Sequence, residues 1–178
     1  MPWRRVFLWA GALALMACAS VLAQGGLRIV PLVSDRDVVV SFDAAGAYTD
    51  DVRAAILSGL KTTVTYEIEL RMVVPTWVDR TIASAIVTVS DQYDNLTRRH
   101  TLTRVVDGRV EDEQTTEDEA VVRRWLTSLS RVPVVRTSKL DQTRDYYVRV
   151  RARVRPRGTS ILGWTGGLSG EAKFTFIP

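Results

Sequence analysis

Residues 61–74 constrain the fold of this chain more than any other stretch. Val64, Tyr66, Ile68, Leu70 and Met72 alternate with Thr65, Glu67, Glu69 and Arg71. A period of two sends successive side chains to opposite faces, so this run predicts a strand with one face in a core and one in water. Such a strand belongs to an antiparallel sheet that packs on one side only. Tyr146 to Arg155 repeats the pattern: Val148, Val150, Ala152 and Val154 alternate with Arg149, Arg151, Arg153 and Arg155.

Other segments fit the same plan. Leu27–Val33 and Val38–Phe42 predict a hairpin across Ser34–Asp37, and Pro31, which lacks an amide donor, puts the first of these strands at an edge. Thr81–Gln92 is apolar on both faces and predicts a central strand. Leu96–Val106 returns antiparallel to it, followed by the hairpin signal Asp107-Gly108. Ala172, Phe174 and Phe176 mark a terminal strand. Two helices are expected. One runs from a cap at Thr49 or Asp50 to Ser58, with stripe Val52, Ala55 and Ile56 and Gly59 behind it. The other runs from Thr116 to Ser130, with Thr116 and Glu119 in a capping box and Val121, Val122, Trp125, Leu126 and Leu129 as its stripe. The order β-β-α-β-β-β-α-β-β has too few crossover helices for a parallel sheet. The expected fold is mainly β: an antiparallel β-sandwich, immunoglobulin-like, with two short helices.

The first 23 residues are read apart from this domain. Arg4 and Arg5 precede the nearly all-apolar run 6–19, and Val21-Leu22-Ala23 offers small residues to a signal peptidase. The apolar run is too short to span a bilayer, which takes about 20 residues. The expectation is an exported chain, cleaved after Ala23 and located in the periplasm or envelope of a bacterium, with residues 24–178 as one domain. Leu15-Met16-Ala17-Cys18 offers a second route. Lipidation of Cys18 would tether the domain to a membrane at about 0.8 kcal/mol per buried CH₂.

Composition narrows the chemistry. Cys18 is the only cysteine and His100 the only histidine. A chain cleaved after Ala23 has no thiol for a disulfide, a nucleophile or a cysteine-based metal site, and His-rich zinc sites are excluded. No cofactor or metal is expected. His100, on a strand, reads as structural. Without Arg4 and Arg5, 22 basic residues face 20 acidic ones, so charge is nearly balanced. Its distribution is not. Residues 111–119 carry six acids and no base, whereas residues 123–157 carry eleven bases against Asp141 and Asp145. An exported protein rarely meets nucleic acid. The basic run therefore points to an anionic envelope component or an envelope protein as partner.

Four features carry functional readings. Arg149, Arg151, Arg153 and Arg155, with Arg157 behind them, form a ladder able to bind phosphates bidentately, or to pair with Glu67 and Glu69 on a neighbouring strand. The acidic segment 111–119 lacks the spacing of a calcium loop and reads as a helix cap with a solvated loop. The glycine-rich stretch 157–170 carries Ile161, Leu162 and Trp164 and is a contact candidate through Trp164; it has no phosphate-loop ending. The carboxylate pairs Asp50/Asp51, Asp91/Asp94 and Asp141/Asp145 leave open a carboxylate-based hydrolase of envelope glycans. The expectation is a non-catalytic binding or accessory module, with no catalytic residue assigned.

The run Tyr66–Arg71, then Trp77-Val78-Asp79, then Leu96-Thr97-Arg98-Arg99-His100, resembles an exported bacterial family known as domain of unknown function 4390. That family has a Glu-x-Glu-Leu strand, a Trp-x-Asp-like segment, a Leu-Thr-Arg-x-Tyr strand and a short helix opening with acids. His100 stands where the family has Tyr. The resemblance covers roughly residues 27–178. It implies an exported, largely β single domain with no established activity, and an association with membrane histidine kinases of nitrogen-regulation type, beside which members are encoded.

Overall fold

The computed structural model describes residues 26–34, 36–156 and 167–174. Ala23, Cys18, Arg157 and Trp164 lie outside the described residues, as do Ile161, Leu162 and Phe176. Among the described residues, nine strands form two antiparallel sheets. The smaller holds β1 (Leu27–Val33), β2 (Asp37–Ala44) and β7 (Ser128–Arg136) in the order β1-β2-β7. The larger holds β3 (Thr62–Met72), β4 (Arg80–Asp94), β5 (Arg99–Val106), β6 (Arg109–Thr116), β8 (Tyr146–Pro156) and β9 (Leu168–Phe174), in the order β6-β5-β4-β3-β8-β9. The expected sandwich is present, with β1 at an edge and β4 internal.

The inner faces are those the alternation marked. Val64, Tyr66, Ile68 and Leu70 of β3 and Val148, Val150 and Ala152 of β8 are buried against Val38, Val40 and Phe42 of β2. Tyr66 ties three elements together. Its ring lies 4.8 Å from that of Phe42, and its hydroxyl donates to the Leu126 carbonyl at 2.5 Å. Two helices pack on the core, α1 (Asp50–Leu57) through Val52 and Ile56, and α2 (Glu119–Thr127) through Val122, Trp125 and Leu126. The Thr49 hydroxyl caps α1 by accepting from the Val52 amide, and Gly59 follows with φ +82°. The Arg53 guanidinium of α1 is hydrogen-bonded to the Glu119 carboxylate of α2, which also accepts from Tyr48.

The structure corrects the second helix and adds two strands. The helix starts at Glu119, not Thr116, and Asp118 is its cap, accepting from the Ala120 amide at 2.8 Å. Thr116 ends β6, and Glu119 is turned to Arg53, so the expected capping box does not form. The acidic segment is mostly the edge strand β6, not a loop, paired to β5 through the Asp107-Gly108 turn, whose φ values are +47° and +83°. Residues 128–130 belong to β7, not to the helix. The returning strand β5 starts at Arg99, and Leu96, expected to open it, lies on the exposed turn before it.

Strands β9 and β1 meet at Gly170. A Cβ added there would stand 3.1 Å from Leu27 Cδ2 and 3.2 Å from Ile29 Cδ1. Gly170→Val is therefore expected to push the two edges apart and cost about 1–3 kcal/mol, read as a lower midpoint in urea unfolding. An unchanged midpoint would show that the edges are not in close contact.

Candidate functional site

The outer face of the larger sheet carries the arginine ladder. Register places Arg149 opposite Glu69, Arg151 opposite Glu67, Arg153 opposite Thr65 and Arg155 opposite Thr63. Alternate residues on a strand recur about every 7 Å on one face, and Arg151 and Arg153 lean diagonally from their register positions toward Glu69 and Glu67. The pairing with Glu67 and Glu69 is present but loose. Arg151 Nη1 stands 3.6 Å from Glu69 Oε1 and 3.7 Å from Glu67 Oε2, and Arg153 Nη2 stands 3.8 Å from Glu67 Oε2. Contacts this long are not hydrogen bonds; the Arg153–Glu67 pair is the more exposed and contributes about 0–1 kcal/mol, whereas Glu69 is mostly buried. Arg149 differs: its Nε donates to Glu171 Oε1 at 2.7 Å. Arg155 is exposed and makes no ion pair among the described residues. The ladder thus has Arg149 hydrogen-bonded at one end, Arg151 and Arg153 loosely paired, and Arg155 exposed at the other end.

The Arg149 end of the row leads to the β3–β4 turn, residues 73–79. Arg149 lies 5.8 Å from the ring centre of Tyr147. The Tyr147 hydroxyl donates to Asp79 Oδ2 at 2.8 Å, Asp79 Oδ1 accepts from the Val74 amide at 3.2 Å, and Arg71 Nη2 donates to the Asp79 carbonyl at 2.8 Å. The hydrogen bond from Tyr147, helped by the Val74 amide, holds the Asp79 carboxyl below the ordinary carboxylate range. A lowered carboxyl favours the folded turn above the ordinary value of 3.8 and stops doing so as pH falls through its own lower value. Asp79, Tyr147 and Arg71 were not singled out as site residues from sequence. The spacing of Trp77 and Asp79 was the available signal, but nothing local indicates that Asp79 reaches β8.

The other candidates fall elsewhere. Asp91 and His100 form a buried pair on the inner face, with Asp91 Oδ2 2.9 Å from His100 Nδ1 and the imidazole 4.5 Å from the Tyr93 ring centre. Burial pushes the Asp91 carboxyl up, against the opposing pull of His100. Asp94 accepts from the Leu96 and Thr97 amides, and Asp141 from the Thr143 amide and hydroxyl, so each shapes its own turn. Asp50 and Asp51 open α1. Among the described residues no group of three or more His, Cys, Asp or Glu side chains is placed to hold a metal ion, and no helix is long and apolar enough to cross a membrane. A groove of about 710 Å³ lies between β1 and β9, lined by Ile29, Val30, Pro31, Tyr146 and Phe174 among others, apart from the ladder.

Comparison with known proteins gives one match. The family model described as domain of unknown function, DUF4390, covers residues 28–157. No curated protein and no solved structure matches the chain.

Proposed function

This chain belongs to the DUF4390 family of domains of unknown function, and on its own geometry we propose that it is an exported, non-catalytic binding module of the bacterial envelope. Its ligand is an anionic envelope component, held on the outer face of the larger sheet by Arg151, Arg153 and Arg155. The observation that carries the reading is the row of loosely paired guanidinium groups on β8. A guanidinium presents a rigid fork of donors that fits phosphate and carboxylate bidentately. The exposed Arg153–Glu67 pair, at 3.8 Å, gives way to such a ligand at little energetic cost, and Arg155 has no ion pair to break among the described residues. The basic and nearly apolar opening stretch supports export. The place in the envelope, whether free after cleavage at Ala23 or tethered through Cys18, decides whether the module meets soluble polymer or membrane-bound partners, a sensor kinase among them.

The test is binding to a soluble anionic polymer, dextran sulfate, by the wild-type chain and by the double variant Arg153→Glu, Arg155→Glu. Reversal of two exposed charges is expected to weaken binding at least tenfold and to flatten its salt dependence, with the melting temperature nearly unchanged. Equal binding by both chains would contradict the assignment.

A further inference from the structure

On the side of the sandwich where β6 and β7 are the free edges of their sheets, a cleft of about 340 Å³ is lined by β5, β6 and β7. That size suits a small molecule. Part of the lining is apolar: Leu129 and Val132 of β7 are buried, and Val106 of β5 is half-buried. Four charged side chains line the same cleft, Arg104 of β5, Glu111 and Asp112 of β6, and Arg131 of β7. Among the described residues none of the four side chains makes an ion pair or a hydrogen bond.

The strands are irregular where they pass the cleft. Asp112 stands opposite Arg104 and Val110 opposite Val105, so Glu111 is an extra residue on β6. The extra residue on β7 falls between Leu129 and Val132, where Arg131 has φ +54°. Such bulges re-aim side chains and are frequent beside functional sites. Arg104 stands on the inner side of its sheet, opposite the buried Val89. Its guanidinium carbon lies 4.3 Å from the centre of the Trp125 ring, and its Nε is buried with no hydrogen-bond partner. A contact with the ring face steadies the guanidinium and leaves its in-plane donors uncommitted. A buried donor without an acceptor calls for an explanation, and a ligand carboxylate would supply the acceptor, bidentately.

The charges of the cleft also select its occupant. Two cations and two acids cancel, so a simple anion gains nothing from the net charge, whereas a ligand carrying both signs gains from both. Residues directly opposed on paired strands have side chains that start about 5 Å apart, which sets Arg104 and Asp112 side by side. An α-amino acid carries its ammonium and carboxylate on one carbon and matches that spacing better than a longer zwitterion. We propose that this cleft binds a free α-amino acid with an apolar side chain. Arg104 takes the carboxylate, Glu111 and Asp112 take the ammonium, and Val106, Leu129 and Val132 receive the side chain. Arg131, exposed on its bulge, offers the carboxylate a second cation. The site lies on the inner side of the larger sheet, so it stands or falls separately from the arginine row on the outer side.

The experiment is isothermal titration calorimetry of the full chain, as purified from cells, with L-valine, L-leucine and L-phenylalanine. At least one of the three is expected to bind saturably, one per chain. Its amide, which lacks the carboxylate, and its deamino acid, which lacks the ammonium, should each bind at least tenfold more weakly. Glu111→Gln with Asp112→Asn changes two exposed residues and should weaken binding at least tenfold at an unchanged melting temperature. Arg104→Met keeps an apolar stem over Trp125, loses the charge and should do the same; if it lowers the melting temperature, the Gln/Asn variant decides. Arg153→Glu with Arg155→Glu should bind the amino acid as wild type does. Binding of none of the three amino acids overturns the proposal. So does undiminished binding by the Gln/Asn variant, a deamino acid that binds as tightly as its parent, or loss of amino-acid binding in the Arg153→Glu, Arg155→Glu variant. Dextran sulfate binding by the Gln/Asn variant reports on the outer face alone and is expected to match wild type.

Discussion

Replacing His100 by alanine is expected to destabilise the domain by about 3–5 kcal/mol, because it strands a buried carboxylate. Asp91 is fully buried, and its Oδ1 has no hydrogen-bond partner; His100 Nδ1 meets Oδ2 at 2.9 Å. Removing the imidazole leaves a charge in a low-dielectric site with only the Gln92 backbone amide to offset it. The sign of the pH dependence follows from Asp91. Burial raises its carboxyl, and His100 is the main group that pulls it back down, with a smaller pull from the Gln92 backbone amide. A carboxyl raised in the folded state favours folding below its ordinary value and costs stability as pH rises through its folded value. The loss in His100→Ala should therefore be smallest in acid and should grow as pH rises above the ordinary value of 3.8. Urea unfolding at pH 5 and pH 8 reads this directly. A loss under about 1 kcal/mol at both values would show that the pair is not the buried support described. Replacing both residues together by leucine should cost less than His100→Ala alone, because no charge then remains buried.

Tyr66→Ala should be comparably severe, at about 3–5 kcal/mol, for a different reason. Tyr66 is fully buried, and its side chain joins β3 to Phe42 of the opposite sheet and to the backbone of α2. Truncation opens a cavity between the sheets and leaves the Leu126 carbonyl without this donor. Tyr66→Phe separates the two contributions: it keeps the ring and should cost only about 1–2 kcal/mol. Thermal unfolding distinguishes them, since 1 kcal/mol corresponds to about 2–4 °C in a domain of this size. Equal losses for the two variants would place the whole effect in the hydroxyl.

Where one face of a strand is buried and the other wet, the residues announce it. Strands β3 and β8 follow from their alternation, and β4 from two apolar faces. The first helix is equally legible, because Thr49, Val52, Ile56 and Gly59 each do locally what their chemistry favours. Strand β7 is hidden by its own irregularity. Leu129, Val132 and Val135 are its buried residues, spaced by three rather than two. From Val40 to Phe42 the strand spends Leu129 to Val132, four residues against three, and opposite Val38 and Val39 it spends Pro133 to Val135, three against two, so each bulge adds a residue. Arg131, at φ +54°, sits in the first of them. The result continues the three- and four-residue spacing of Val122, Trp125 and Leu126, and reads as more helix. Strand β6 is hidden because its side chains are almost all exposed. Backbone pairing to β5 makes it a strand, and its acids blunt a free edge.

The site was legible only in part. The arginine row follows from the β8 pattern, and its partners Glu67 and Glu69 from the β3 pattern, because both lie on the wet side of adjacent strands. The brace of the β3–β4 turn is non-local. Asp79 and Tyr147 are 68 residues apart and meet because β3 pairs with β8. Only register brings them together, and register is a property of the folded sheet.

The central claim is that the outer face of the larger sheet binds anionic envelope material. Amide chemical-shift mapping of the chain titrated with phosphatidylglycerol-containing bicelles tests it most directly. The account predicts shifts at Arg151, Arg153 and Arg155, with the amides of β5, β6, α1 and α2 unmoved. Shifts concentrated on α1 and α2 or on β6, with β8 silent, would contradict it.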